Sequence, residues 1–535
     1  MRITHAVAGL AAATTALTVL AACSSDPTQK DSGGGSGQST LNVYLYQKPK
    51  LFSPLEGANG PDQIVMSLVY DSLLGQDGQF NQVPHLATSL PKVSPDAKTF
   101  TFTLRQGLKW SDGKPFTAKD VLYTYNLLAN VKSGSATPGN YSGIAGYDAV
   151  AAGKADTLSG LSAPNDHTFV IKTSKPDIGI VGLIGGAPIL PEHVLGKDPI
   201  DQVQKDSFFT KPTVGMGPYT VVTYKTDQYV ELTKNKNFRS PLNIDKIYLK
   251  PVTSDVATAQ LESGEMDLVQ ISPTDLPTVE KMKNVAVVSK KSAGYIRIAL
   301  NQSKPEFQDK RVRQAVLYAV DRKKLIQKVL GGKGTVVNTT FMKDAMPKGL
   351  NQYPYDPAKA RQLLAQAGWD KNRTVELEWI PGQRDRDTTV NIVQSQLQAV
   401  GMKVKLRQVQ SAQLVQSYDQ KSFDMVLYGG GNYSTDPWSA QPILACSQDY
   451  PNGANVTHFC DHQLDAALDQ ANQTTDTAAR MKLYQKAAKI ENEDAAYYWL
   501  YNPDTIWAYN TRIQGFEGSG DFANPFLDIA DWKLK

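Results

Sequence analysis

The chain has 535 residues, 41% of them apolar and 20% charged, an ordinary globular composition in a chain too long for one compact core. Its 56 basic and 52 acidic residues leave a formal net charge of +4, with no basic block. A nucleic-acid binder concentrates positive charge on one face or in one run, so that class is disfavoured.

The first feature in chain order is an apolar stretch from Ala6 to Ala22, preceded by Arg2 and running into Cys23. A charged start, an apolar centre and small residues at a cleavage point predict a signal peptide over 1–22. The alternative, an uncleaved membrane span, is disfavoured by the short length and the Ala and Thr content. Residues 24–38, SSDPTQKDSGGGSGQ, offer nothing apolar to bury and read as a flexible tether.

The folded part then begins. Alternation predicts a strand over 41–46, and apolar residues at helical spacing predict a helix over 64–74. The run TFTFTL over 99–104 is a half-buried strand, followed by a helix over 117–128 with Thr117 as N-cap. Strands over 219–224 and 229–232 flank a polar turn and form a hairpin. A helix over 255–263 stops at Gly264, and a strand covers 267–271. One long helix is expected over 309–330, and another starts at the Asp356-Pro357 cap. A helix over 388–400, a strand over 402–409 and an apolar strand over 423–428 complete the series, the last running into Gly429-Gly430-Gly431. Helices and strands alternate throughout, so the fold class is α/β, or mixed α+β.

Two cysteines remain, Cys446 and Cys460. In an exported chain they predict one disulfide. The rival reading takes His458, Cys460 and His462 as alternating metal ligands, but spaced cysteine pairs and a fourth ligand are missing. No cofactor motif is present. Ser89-Leu90-Pro91-Lys92 matches the S-x-x-K of penicillin-interacting enzymes without its companion motifs, and neither G-x-S-x-G, H-E-x-x-H nor a P-loop occurs. A carboxylate-pair hydrolase stays open as a disfavoured alternative.

Several segments, taken in order, resemble the family 5 bacterial solute-binding proteins, which serve dipeptide, oligopeptide and nickel importers. They are LVYDSLL at 68–74, LATS at 86–89 with the strand and Trp110 after it, DGKPFTAKDV at 112–121, GMGPY at 215–219, AQLESGEMD at 259–267, DKRVRQAVLYAVDR at 309–322 and YDPAKARQLLAQAGW at 355–369. The resemblance implies a periplasmic-binding-protein-like hinged clamp, with two ligand-enclosing lobes and an extra domain. Domain I would comprise 39–57, 175–275 and 495–535, domain II 58–174, and domain III 276–494. Leu20-Ala21-Ala22-Cys23 resembles the lipobox of bacterial lipoproteins, which implies a diacylglycerol on the Cys23 thiol and attachment to the outer face of the cell membrane. The implied function is the substrate-binding subunit of an ABC importer. Such a subunit is a monomer without catalysis or cofactor that captures peptides and delivers them to a membrane permease. A non-peptide solute (a nickel complex, a sugar or an opine-like compound) and a sensing role need the same clamp.

The candidate site is the segment Tyr428, Gly429, Gly430, Gly431, Asn432, Tyr433, then Asp436 and Trp438. It leaves a buried strand, where ligands often meet a sheet edge. Its glycines let a ligand backbone approach main-chain groups. Asp436 is a candidate partner for a ligand ammonium, or else the cap of a turn before Pro437. Peptide-binding relatives place a carboxylate three residues before this Asp-Pro; here that position is Tyr433. Arg384 is a candidate for a ligand carboxylate, though the alternating Arg384-Asp385-Arg386-Asp387 also suits a solvated, self-paired loop.

Overall fold

The run YWLYNPDTIWAYN, apolar on both faces at each end, forms the strand Tyr498–Asn510 and holds the molecule together. Its first residues pair antiparallel with Gly294–Leu300, and its later ones with Val285–Lys291 and Leu268–Gln270. It is thereby shared by two groups of strands in a twelve-stranded sheet. The computed structural model describes residues 39–56, 60–381, 383–431, 435–451, 453–521 and 523–535. The expected signal peptide, Cys23, the tether, Asn432 and Tyr433 lie outside the described residues. Among the described residues, no helix is long and apolar enough to cross a membrane.

One end of the sheet runs Thr40–Leu45, Lys246–Pro251, Tyr229–Lys234, Tyr219–Lys225. The hairpin at its edge turns at Asp227, which takes a positive φ of 66°. A separate four-stranded sheet contains Thr99–Thr103, where Phe100 and Phe102 point inward and the threonines outward, as strict alternation requires. Ala118–Ala129 packs beside that sheet, capped by Thr117 in a reciprocal capping box with Asp120. The other end of the large sheet runs Gly294–Leu300, Met425–Gly431, Thr374–Trp379, Lys403–Gln408. Its two faces are both buried. Ile296, Ile298 and Leu427 face a core shared with the helices Lys310–Ala319, Arg322–Leu330 and Arg384–Ala399. Tyr295, Ala299, Val426 and Trp499 face another, shared with His462–Gln473 and Thr477–Asp494.

Residues up to Lys291 and from Asp504 onward thus contribute to one set of cores, and residues 294–501 to another. We call these the first and second halves. The chain crosses between them twice, at 291–294 and at 501–504, and the two crossings lie side by side. Ser292 Oγ donates to the Pro503 carbonyl at 2.6 Å at that point.

Three expectations need correction. The helix expected over 64–74 is Gly60–Val69, and Leu74 opens a short strand, because the apolar tail pairs as Leu74–Gln76 with Gln82–Pro84. The helix expected over 309–330 is broken. Val320 is extended and Asp321 caps a second helix by accepting from the Lys324 amide. A polar N-cap inside an apolar repeat outweighed the periodicity. The helix expected to start at 388 starts at Arg384. Cys446 and Cys460 are bonded, with 4.6 Å between Cα atoms. A bridge closing a loop of this size contributes about 3 kcal/mol in the chain-entropy model. The disulfide leaves the HFCDH run no thiolate to offer a metal, and His458 is already hydrogen-bonded to Asp449 at 2.6 Å.

Candidate functional site

Met425–Gly431 pairs with Gly294–Leu300 along its whole length, from Leu300↔Met425 to Gly294↔Gly431. Its glycines make room first for neighbouring side chains. A Cβ on Gly429 would overlap the Arg386 guanidinium, and one on Gly430 would meet the Tyr295 ring and hydroxyl. Tyr428, just before them, is 38% exposed, unusual for a tyrosine in so buried a sheet.

Arg386 reaches Gly429 because the helix begins earlier than its sequence suggests. Asp385 and Asp387 lie in the first turn, where negative charge favours a helix N-terminus. Two residues along a helix rotate by about 200°. The Arg384 side chain accordingly points outward, 64% exposed and 3.7 Å from Asp275, while Arg386 turns inward against the glycine strand. Arg384, predicted as the carboxylate partner, therefore sits on a helix and beside an acid of the first half. Arg386 was read only as part of a solvated loop.

The first half meets this region through the end of its strand Thr40–Leu45. Burial pushes the Tyr46 phenol up to about 12, against the opposing charge of Arg386. Burial, with the Asp275 carboxylate adding to it, pushes Tyr44 up to about 12 as well. The loop after the glycines also touches the first half. The Thr435 amide donates to the Phe80 carbonyl at 3.0 Å, and Lys343 Nζ donates to Asn81 Oδ1 at 2.6 Å. Trp438 lies on Gly179, where any Cβ would overlap the indole. Asp436 Oδ1 accepts from the Trp438 amide and from Arg480 Nη2, each at 3.0 Å. That carboxylate fixes the loop, which matches the turn-capping alternative. Asn432 and Tyr433 carry no structural account.

Behind Phe80, in the first half, lies a cavity of about 500 Å³. Met66, Tyr70, Leu74 and Leu527 give it apolar walls, and Asp71, Asp77 and Asp521 line it as well. Asp71 is already paired with Arg239 and with His85. Burial pushes the Asp521 carboxyl up, although the amides of Ala523 and Asn524 donate to it. A larger concavity of about 790 Å³ is a groove between the helices Arg322–Leu330 and Arg384–Ala399, with Arg384 and Asp387 in its lining.

Sequence reasoning missed Arg297 and Glu491. Arg297 is 3% exposed inside Gly294–Leu300, and the guanidinium lies over the rings of Tyr295, Tyr428, Tyr497 and Trp499. A lone arginine in the run YIRIAL was the available signal. Glu491 is 1% exposed and accepts from Thr339 Oγ1 at 2.5 Å, the Thr340 amide at 3.1 Å and Trp499 Nε1 at 2.9 Å. Burial pushes its carboxyl up to about 7, with those donors and the Arg297 charge opposing.

With this geometry established, three comparisons identify relatives. The profile of the bacterial extracellular solute-binding proteins, family 5, matches residues 81–452. A Brucella ovis protein named as a peptide-binding component of an ABC transporter is 30% identical over 480 residues, 87% of each chain. The oligopeptide-binding protein AppA of Bacillus subtilis is 26% identical over 523 residues, 93% of each chain. The solved structure of AppA with a nonapeptide superposes with a TM-score of 0.79, covering 93% of this chain and 99% of that one, at 25% identity. NikZ of Campylobacter jejuni, solved with Ni(L-His), shares the fold at TM-score 0.79 and 24% identity, over 93% of this chain and all of that one.

Two outcomes follow from the geometry. Gly429→Ala displaces the far end of a flexible arginine and presses on the Ile296 Cδ1 methyl, both side-chain ends that can give, so the fold should tolerate it. Ligand affinity should fall by about tenfold while the ligand-free thermal midpoint moves by no more than a few degrees; equal affinity would remove the glycine strand from the site. Glu491, pushed up by burial to about 7 from the ordinary 4.5 of a free glutamate, holds its proton longer in the folded state. Its contribution to stability is then greatest below the unfolded pKa and declines as pH rises toward 7, by roughly 3 kcal/mol in all. Denaturant titrations across that window should show Glu491→Gln flattening the decline; an unchanged slope would contradict the assignment.

Proposed function

The chain belongs to the bacterial extracellular solute-binding proteins of family 5, and we propose that it is the peptide-capturing subunit of an ABC importer. The observation carrying this reading is the glycine strand Met425–Gly431, whose end lies beside Arg386 and the exposed Tyr428. An extended peptide can hydrogen-bond to main chain there without regard to its sequence. The peptide-binding relatives named above support the same ligand class. The protein works as a carrier, with no catalytic step.

The three-domain clamp is part of the proposal. Its support is the separate cores of the two halves and the paired crossings at 291–294 and 501–504. We place the boundary between the ligand-enclosing lobes at those crossings, since 276–291 packs with the first half, beyond the expected limits of 275 and 495. Ligand contacts made only when the halves approach drive closure, and the closed form docks on the permease. The Thr435–Phe80 bond and the Trp438 indole on Gly179 are protein contacts that join the two halves beside the candidate site. Asp436 is committed to Arg480 and Trp438, and position 433 is a tyrosine, so recognition of a free amino terminus does not rest on this loop. A lipid on Cys23 and the tether of 24–38 would hold the folded part at the outer membrane surface; one acyl chain binds weakly and two hold firmly.

Native mass spectrometry of residues 24–535, before and after mild denaturation, tests the reading. A released peptide mixture is the expected result, whereas one defined non-peptide mass would overturn the peptide assignment. For the anchor, mass spectrometry of the wild-type protein from the membrane fraction should find a chain starting at Cys23 with a diacylglycerol on its thiol, and an unmodified Cys23 would count against lipidation.

A further inference from the structure

Arg297 Nε and Nη1 have no hydrogen-bond partner among the described residues, although the side chain is only 3% exposed. Buried guanidinium donors are nearly always matched by acceptors, because a donor stripped of water and left unmatched destabilises the fold. The rings around it do not fill that role. Tyr497 lies 4.1 Å from the guanidinium carbon, Tyr295 5.0 Å, Trp499 5.4 Å and Tyr428 5.7 Å. Aromatic faces stabilise the positive charge but give no lone pair to its N–H groups. Nor do the nearby acids. Glu491 is occupied by Thr339, Thr340 and the Trp499 indole, and Glu378 gives Oε1 to Arg407 at 2.6 Å while its buried Oε2 meets no donor among the described residues, Arg297 included. The Tyr418 hydroxyl, also buried and without a partner, feels the Arg297 charge.

The register shows how this charge relates to the cleft. Arg297 stands opposite Tyr428 on one neighbouring strand and Trp499 on the other. Tyr428 is the most exposed of the four rings, and the next residue on the same face of its strand is Gly430, opposite Tyr295. The Tyr295 ring fills the space that a side chain at 430 would take, so an approach along the strand end passes the exposed ring of Tyr428.

We infer that Arg297 reads a carboxylate of the bound solute, which enters past Tyr428 and accepts hydrogen bonds from the guanidinium. The rings keep the cation in place and dry, so the charge discriminates more strongly than it would in water. The inference rests on the glycine strand being the ligand site. It names the ligand class more narrowly as a solute carrying a carboxylate.

The test compares wild-type protein with Arg297→Met by calorimetry, at mildly alkaline pH where Glu491 is ionised. The probes are a pool of pentapeptides with free carboxy termini and the same pool amidated. Wild type should prefer the acids by about tenfold, and the variant should lose that preference while keeping its affinity for the amides. A structural role would weaken both pools equally and would overturn the inference, as would an unchanged preference. If Arg297→Met does not fold, Arg297→Lys replaces it; lysine keeps the charge but not the planar donors, and the preference should shrink. If neither pool binds wild type, the peptide reading fails on its own. Acetate against acetamide at matched ionic strength then decides the inference. Acetate should raise the wild-type thermal midpoint and not that of the variant, and equal midpoints would overturn it.

Discussion

Both halves of this molecule hydrogen-bond to one strand, Tyr498–Asn510, and the rest of the architecture follows from that sharing. The antiparallel partners Gly294–Leu300 and Val285–Lys291 are themselves consecutive in the chain. The two crossings therefore run as a pair, stitched where Ser292 meets the Pro503 carbonyl. Proline has no amide hydrogen to lose at such a point. In the proposed clamp, rotation of one half against the other falls on these few residues, while the ladders on either side stay intact. The crossing also fixes what lies beside it. Gly294–Leu300 carries Arg297 and pairs with the glycine strand, so the candidate site is built on the first strands beyond the crossings.

The arrangement sets close packing against electrostatics. Three glycines end a strand that is buried on both faces, and two of those positions are filled by the side chains of Arg386 and Tyr295. Arginines thus stand on both faces of the same strand end, Arg386 beside Gly429 and Arg297 beside Tyr428. The acids of the loop and core are spent elsewhere, Asp436 on Arg480 and Glu491 on its ring of donors. The balance at the glycine strand is cationic, whereas the cavity behind Phe80 is lined by carboxylates.

Much of this was legible in the sequence because it depends on short-range physics. The alternation in TFTFT, the Thr117 N-cap and the Asp356-Pro357 helix start each follow from backbone geometry over a few residues. So does the glycine run, which marks a place where side chains cannot be accommodated. The misreadings have equally local causes. Periodicity over 309–330 concealed a cap at Asp321, and alternating charge at 384–387 concealed a helical turn that separates Arg384 from Arg386.

The amino-acid sequence by itself determined the mixed α/β class, the family, the disulfide partners and the segment that carries the candidate site. Each is encoded in residue types at fixed spacing along the chain. Only the tertiary structure decided which charges are available there. Availability depends on partners brought from far away, such as Arg480 to Asp436, Asp275 to Arg384, and four aromatic rings to Arg297. A charge is neutralised or left open by what packs against it, and linear spacing holds no record of that packing.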